Sequence, residues 1–168
     1  MSIISVYDNI ITAAQYGLTT ITQANGYNNT ILHAYSPPIE VGAMIEMPCV
    51  NIYEGTDSCS NANPNGPHEQ TGGNQAKLFN DFDLIFECYL NVQDNPRAAR
   101  NSLKADIQKY FGLHWNIPDS NGVPSAFSCM YHSAEPFGQN ANAPQTGFVG
   151  RLKVWYSQLL TDPTKISY

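Results

Sequence analysis

The sequence predicts an α+β fold: a mainly antiparallel sheet of about four strands, with two helices packed on one face and long polar loops between the packed elements. Three observations carry that expectation. Two stretches repeat apolar residues every three or four positions, as helices do, and several others alternate apolar and polar residues, as half-buried strands do. The third is composition, since 17 Asn, 12 Gly and 11 Pro in 168 residues require long turn-rich segments.

The first helix is read from Ile3, Tyr7, Ile10, Ala14, Leu18 and Ile21, with Ser2 as its N-cap and the Asn25-Gly26 pair as its end. A short strand around Ile31, His33 and Tyr35 and an irregular apolar connection precede Pro48. The run Cys49–Glu54 then places Val50 and Ile52 on one face and Asn51 and Tyr53 on the other. From Gly55 to Ala76 the pattern stops, and a long polar loop is predicted. The clearest strand follows, with Phe82, Leu84, Phe86, Cys88, Leu90 and Val92 facing the core.

Asn95 and Pro96 open a second helix that Gly112 closes. Its apolar stripe is Ala99, Leu103, Ile107 and Tyr110 or Phe111, and Arg97, Arg100, Lys104 and Lys109 are expected largely off that stripe. After a turn-rich link come a strand through Phe127, Cys129 and Tyr131, a second polar loop from Glu135 to Thr146, and a last strand. There Phe148, Gly150, Leu152, Val154 and Tyr156 face in, while Val149, Arg151, Lys153 and Trp155 face out. One domain accounts for residues 1–168, since the chain is of single-domain length.

Charge narrows the function. Eight Lys and Arg against fourteen Asp and Glu give −6, so no basic field is available to hold nucleic acid tightly. The start MSIISVYDNII lacks a basic n-region and an unbroken apolar core, and no run approaches ~18 apolar residues, so neither secretion nor membrane insertion is expected. Cys49, Cys59, Cys88 and Cys129 form no close pair, which fits free thiols in a reducing cytosol.

Chemistry-bearing spacings are sparse. Cys129 and His132 fall on opposite faces of a strand, so a nucleophile–base pair is not formed and Cys129 reads as a core thiol. Cys49, Cys59 and His68 lack the two close pairs that a zinc site favours, so no metal or other cofactor is expected. Asp81 and Asp83 share a strand face, which fits a solvated strand end better than a carboxylate pair. Tyr53 and Trp155 present large aromatics away from the main core, where a helix or a neighbouring chain must cover them.

Taken in order, the amphipathic N-terminal helix, the Pro48-x-Val50-x-Ile52 strand, the long polar loop, the alternating strand ending at Asp94, and a helix carrying Pro96, Ala98, Asp106 and Ile107 make a recognisable series. With the closing Leu152-x-Val154-x-Tyr156 strand before Asp162-Pro163, the chain resembles the tail terminator proteins of long-tailed bacteriophages and the related tail-completion proteins. That resemblance implies a structural role without catalytic residues. The protein would form a hexameric ring that caps the head-proximal end of the tail tube, stops its polymerisation and meets the head–tail connector, with DNA only passing through the lumen. The location implied is the tail or neck of the virion, assembled in the bacterial cytoplasm.

On this reading Gly55, Asp57, Asn63, His68, Asn74, Phe137, Asn140 and Gln145 in the two loops face the tube or connector, and Tyr53, Arg97, Arg100, Lys104 and Trp155 face neighbouring subunits. Two other classes compete. A small cytosolic enzyme using Cys or His requires a pocket of convergent titratable groups. A monomeric binding module requires stacked aromatics exposed on a free surface.

Overall fold

The computed structural model describes residues 5–40, 43, 46–59, 68–71, 75–91, 95–138, 145–159 and 162–166, with the backbone alone described at 57–59, 68–71, 75–79, 158–159 and 162–166. Helix α1 is Val6–Thr19. It begins three residues later than the apolar spacing suggests because Ser5, not Ser2, caps it. The Ser5 hydroxyl accepts from the Asp8 N–H at 3.1 Å while the Asp8 carboxylate accepts from the Ser5 N–H at 3.2 Å, a reciprocal capping box. The helix ends at Thr20, and Asn25-Gly26 instead closes a short 3-10 turn over Gln23–Asn25.

Among the described residues seven strands follow: β1 (His33–Tyr35), β2 (Cys49–Cys59), β3 (His68–Thr71), β4 (Gln75–Leu90), β5 (Ser128–Phe137), β6 (Thr146–Leu159) and β7 (Asp162–Ile166). Helix α2, Pro96–Leu113, lies between β4 and β5 and is capped by the Asn95 carboxamide oxygen, which accepts from the Ala98 N–H. It runs through Gly112 and ends at His114. The sheet order is β1-β2-β4-β6-β5, antiparallel except where β1 runs parallel to β2. This is the predicted α+β arrangement, with more strands than the alternation revealed.

The extra strands lie where a loop was expected. Between Gly55 and Ala76, β2 continues to Cys59 opposite Asn80, and β3 pairs with β4 from His68↔Leu78 to Thr71↔Gln75. Since β6 occupies the other edge of β4 from Lys77 to Leu90, β3 must continue the line of β2. By the same logic β7, opposite Gln158 and Leu159, continues the line of β5. A strip ordered β3-β4-β6-β7 therefore extends the sheet. At ~3.4 Å per residue, Gln75–Asp81 adds on the order of 20 Å to β4 beyond Phe82.

The second polar loop also shrinks. β5 reaches Phe137 and β6 starts at Thr146, so the hairpin closes between Gly138 and Gln145. Gly138 has φ +63, and a Cβ there would strike the Gln145 carbonyl, so both backbone sign and space demand glycine.

Both helices cover one face. Phe82 packs on Tyr7 of α1 at 4.4 Å between ring centroids, and Phe86 stacks with Phe111 of α2 at 6.0 Å. Phe82, Leu84, Phe86, Cys88, Leu152 and Val154 are fully buried beneath Ile10, Leu18, Leu103 and Ile107. Each such side chain stabilises by about 1.5–3 kcal/mol relative to exposure. Two glycines permit the close fits: Gly17 faces the Tyr110 ring where α1 meets α2, and Gly150 lies directly opposite Phe86 on the neighbouring strand.

Helix α2 also departs from the expected polar face. Arg100, 9% exposed, and Asp106, 1% exposed, both turn inward. The Asp106 carboxylate accepts the backbone and carboxamide N–H groups of Asn28 and Asn29 at 2.7–3.1 Å, tying α2 to the turn that follows α1. Lys109 completes the tie, donating to the Gly26 carbonyl at 2.8 Å and lying 4.7 Å above the Tyr27 ring.

Candidate interaction surfaces

The helix-free face is built from the out-pointing residues of β2, β4, β6 and β5. Strand alternation puts Asp81 and Asp83 there on β4 and Lys153 opposite Asp83 on β6, where its ammonium meets the Asp81 and Asp83 carboxylates at 3.5 and 3.3 Å. The acidic pair is thus a half-exposed clamp on one lysine. Farther along, Tyr53 and Tyr89 both donate to Glu87 Oε2, at 2.7 and 2.8 Å, which pushes both phenol pKa values up through burial and the shared carboxylate. Asn51, 1% exposed, exchanges hydrogen bonds with the backbone of Ile39, so the segment after β1 covers this end of the face.

The candidate contact residues separate accordingly. Tyr53 is half-buried and engaged with Glu87, Trp155 is half-buried on the helix-free face, and Arg97 is exposed on α2. Arg100 is buried within the chain and donates to Thr146 Oγ1 at 2.6 Å, so it does not belong to a solvated basic face; half-buried Lys104 lies one turn on. Gly55 stands in the bulge between Glu54 and Asp57, where a Cβ would meet the Asp83 backbone at 2.6 Å. Asp57 and His68 are strand residues, not loop residues.

Phe137 is committed to the fold. It packs on Tyr89 at 5.2 Å and lies beside Gly147, whose missing side chain makes the room. Gln145 is half-buried at the hairpin mouth. Asn63, Asn74 and Asn140 lie outside the described residues.

The thiols are placed for packing. Burial pushes Cys49 up to about 11 and Cys129 up to about 12, and Cys88 rises as well. His132 is exposed while Cys129 points toward the His114 carbonyl, so the two do not meet. Cys49 and Cys59 stand at opposite ends of β2, about 30 Å apart at ~3.3 Å per residue, which rules out a bridge between them within one chain and a shared metal. Among the described residues no three His, Cys, Asp or Glu side chains gather in a metal-binding group, and no helix is long and apolar enough to cross a membrane.

A surface that periodicity did not expose stands at the end of α2. Leu113, Trp115, Val123 and Phe127 are each more than half exposed, between 54% and 63%, and Met130, equally exposed, lies on the helix-free face opposite Lys153. The Asn116 carbonyl accepts from Ser125 and Ala126 N–H, which brings the chain at Trp115 alongside the chain at Phe127, and Phe127 N–H donates to the Trp155 carbonyl. Phe127 therefore precedes β5 instead of facing the core from it.

This link is pinned. Ile117 is fully buried with φ +46, a left-handed backbone that a β-branched residue adopts at a cost of about 1–3 kcal/mol. Its N–H donates to His114 and its carbonyl accepts from Ser125, so the apolar display around it is held in shape. The signal in the sequence was the presence of Trp115, Val123 and Phe127 in a Pro- and Asn-containing link that has no periodicity to bury them. No family model matches the sequence, and no curated protein matches it.

Proposed function

We propose that the chain is a structural virion protein that forms a ring of six copies, caps the head-proximal end of a long-tailed phage tail tube, halts its growth and joins it to the head connector. The observation that carries this reading is the pinned link that exposes Trp115 and Phe127 side by side, with Leu113 and Val123 exposed on the same segment. Large apolar groups gathered and held rigid at a surface mark a protein interface, and rigidity lowers the ordering cost of binding. A sheet with both helices on one face and a strip of strands extending past the core supports the same reading, because it leaves strand edges and a second face for neighbours. The raised thiol pKa values weigh against thiol chemistry.

Light scattering on the eluting peak of a gel-filtration column, with negative-stain microscopy, tests it. The expected species is a six-fold ring of 18.5-kDa subunits, and a Trp115→Glu, Phe127→Glu double variant is expected to elute as a folded monomer. A protein that stays monomeric at every concentration up to the millimolar range overturns the proposal, as does a double variant that still forms the same ring.

A further inference from the structure

Between α2 and β5 lies a second, smaller feature, a cavity of about 110 Å³ lined by Arg100, Asn101, Lys104, Ala134, Pro136 and Phe148. Far more than the ~10–15 Å³ that admits one water, it has room for a group of several heavy atoms. Its chemistry is one-sided. Arg100 and Lys104 are one helical turn apart on α2 and line it together, Asn101 adds a carboxamide, and no lining residue carries a carboxylate.

Buried charges are ordinarily paired, and a guanidinium presents five N–H donors. Arg100 is 9% exposed, and among the described residues Thr146 Oγ1 is its one hydrogen-bond acceptor, at 2.6 Å, with no carboxylate within ion-pair distance. Lys104 likewise has no ion-pair partner among the described residues. Of the described carboxylates, Asp106 is saturated by Asn28 and Asn29, and Glu135 is opposite Val149 on the helix-free side of β5. Two cations beside an apolar wall of Ala134, Pro136 and Phe148, in a chain of net charge −6, form a cradle of concentrated positive charge.

We infer that this cavity binds a small oxyanion, a carboxylate or phosphate group, held by the Arg100 guanidinium and the Lys104 ammonium. The site stands on its own geometry and does not require that the chain form a ring. The anion has two possible sources, a free ion or an acidic side chain of a second copy, and the test separates them.

Thermal unfolding of the full chain is followed with about 20 mM inorganic phosphate or acetate against sodium chloride at matched ionic strength. A millimolar Kd raises Tm by about 4 °C in the presence of the free ion. Lys104→Glu supplies an internal carboxylate one turn from Arg100; it is expected to raise Tm without added anion and to abolish the response. Arg100→Met should abolish the response too, and Lys104→Glu serves alone if that variant fails to fold. Should neither free anion act while association between copies weakens in Lys104→Glu, the source is a second copy's carboxylate. The inference falls if wild type shows no anion response and Lys104→Glu leaves association unchanged, or if phosphate shifts wild type and Lys104→Glu equally. An apolar-surface variant such as Phe127→Glu should keep the anion response, so failure of the ring and failure of this site read differently.

Discussion

Removing the carboxylate of Asp106 is expected to cost more stability than any surface charge in the chain. Its two oxygens accept four hydrogen bonds across a sequence separation of 77 and 78 residues, two from backbone N–H groups and two from carboxamides. Hydrogen bonds to a charged group are worth about 1.5–3 kcal/mol each, but they do not add, and Asn28 is exposed, so its donors recover water when the acceptor goes. Losing the desolvated carboxylate also returns part of its own burial cost. The balance for Asp106→Ala is a loss of about 3–5 kcal/mol, which for a chain of this length lowers Tm by about 10 °C. Urea unfolding measures it: the midpoint should fall with an unchanged slope, and hydrogen exchange should quicken at the Asn28 and Asn29 amides. A loss below about 1 kcal/mol would show that the turn holds α1 to α2 without this carboxylate, and the account of the helix contact would fail.

Two other perturbations read the core. Gly17→Ala should destabilise by about 1–2 kcal/mol, because the new methyl meets the buried Tyr110 ring and overpacking outweighs the roughly 1 kcal/mol of helix propensity gained; a higher urea midpoint would contradict the close α1–α2 contact. Stability should also fall at alkaline pH. Cys49, Cys129 and Tyr110 have folded pKa values raised by burial to about 11, 12 and 12, from ordinary values of 9.0, 9.0 and 10.0. In that window the unfolded chain has released protons the folded chain keeps, so ΔG is at full strength below pH 9 and declines as pH rises toward 12. Thermal melts across pH 8 to 11 check this, and a flat profile would mean that these groups are solvated.

What the sequence disclosed follows the physics of burial. Helix α1 and the Phe82–Leu90 part of β4 were legible because each has a buried side and a wet side, and that contrast is what periodicity measures. Arg100 was misread for the same reason inverted. Positions 100, 103, 107 and 110 share one helical seam, so its place was visible, but its charge suggested water. The surface around Trp115 and Phe127 left no trace in periodicity because these side chains are exposed in an irregular link, where no buried side imposes a repeat. Of the candidate contacts in the two polar segments, Gly55 and Phe137 have structural duties in a bulge and an aromatic pair, which spacing alone did not distinguish from duties at an interface.

The strip ordered β3-β4-β6-β7 shows why Gly55–Ala76 read as loop. Along Phe82–Leu90 the side chains under the sheet are fixed by helices, and the alternation is strict. From Gln75 to Asp81 the backbone keeps the same ladder, with β6 on one edge and β2 and β3 on the other, yet the sequence is Gln, Ala, Lys, Leu, Phe, Asn, Asp, without that alternation. Asn80, a buried polar residue in the same register as Phe82, and the bulky Phe79 beside it interrupt the apolar–polar pattern, so the ladder continues where the composition stops signalling a strand. The consequence for the proposed ring is a division of labour. Substitutions beneath the helices register first as lost stability, whereas substitutions on the Trp115–Phe127 surface should leave folding intact and register in assembly.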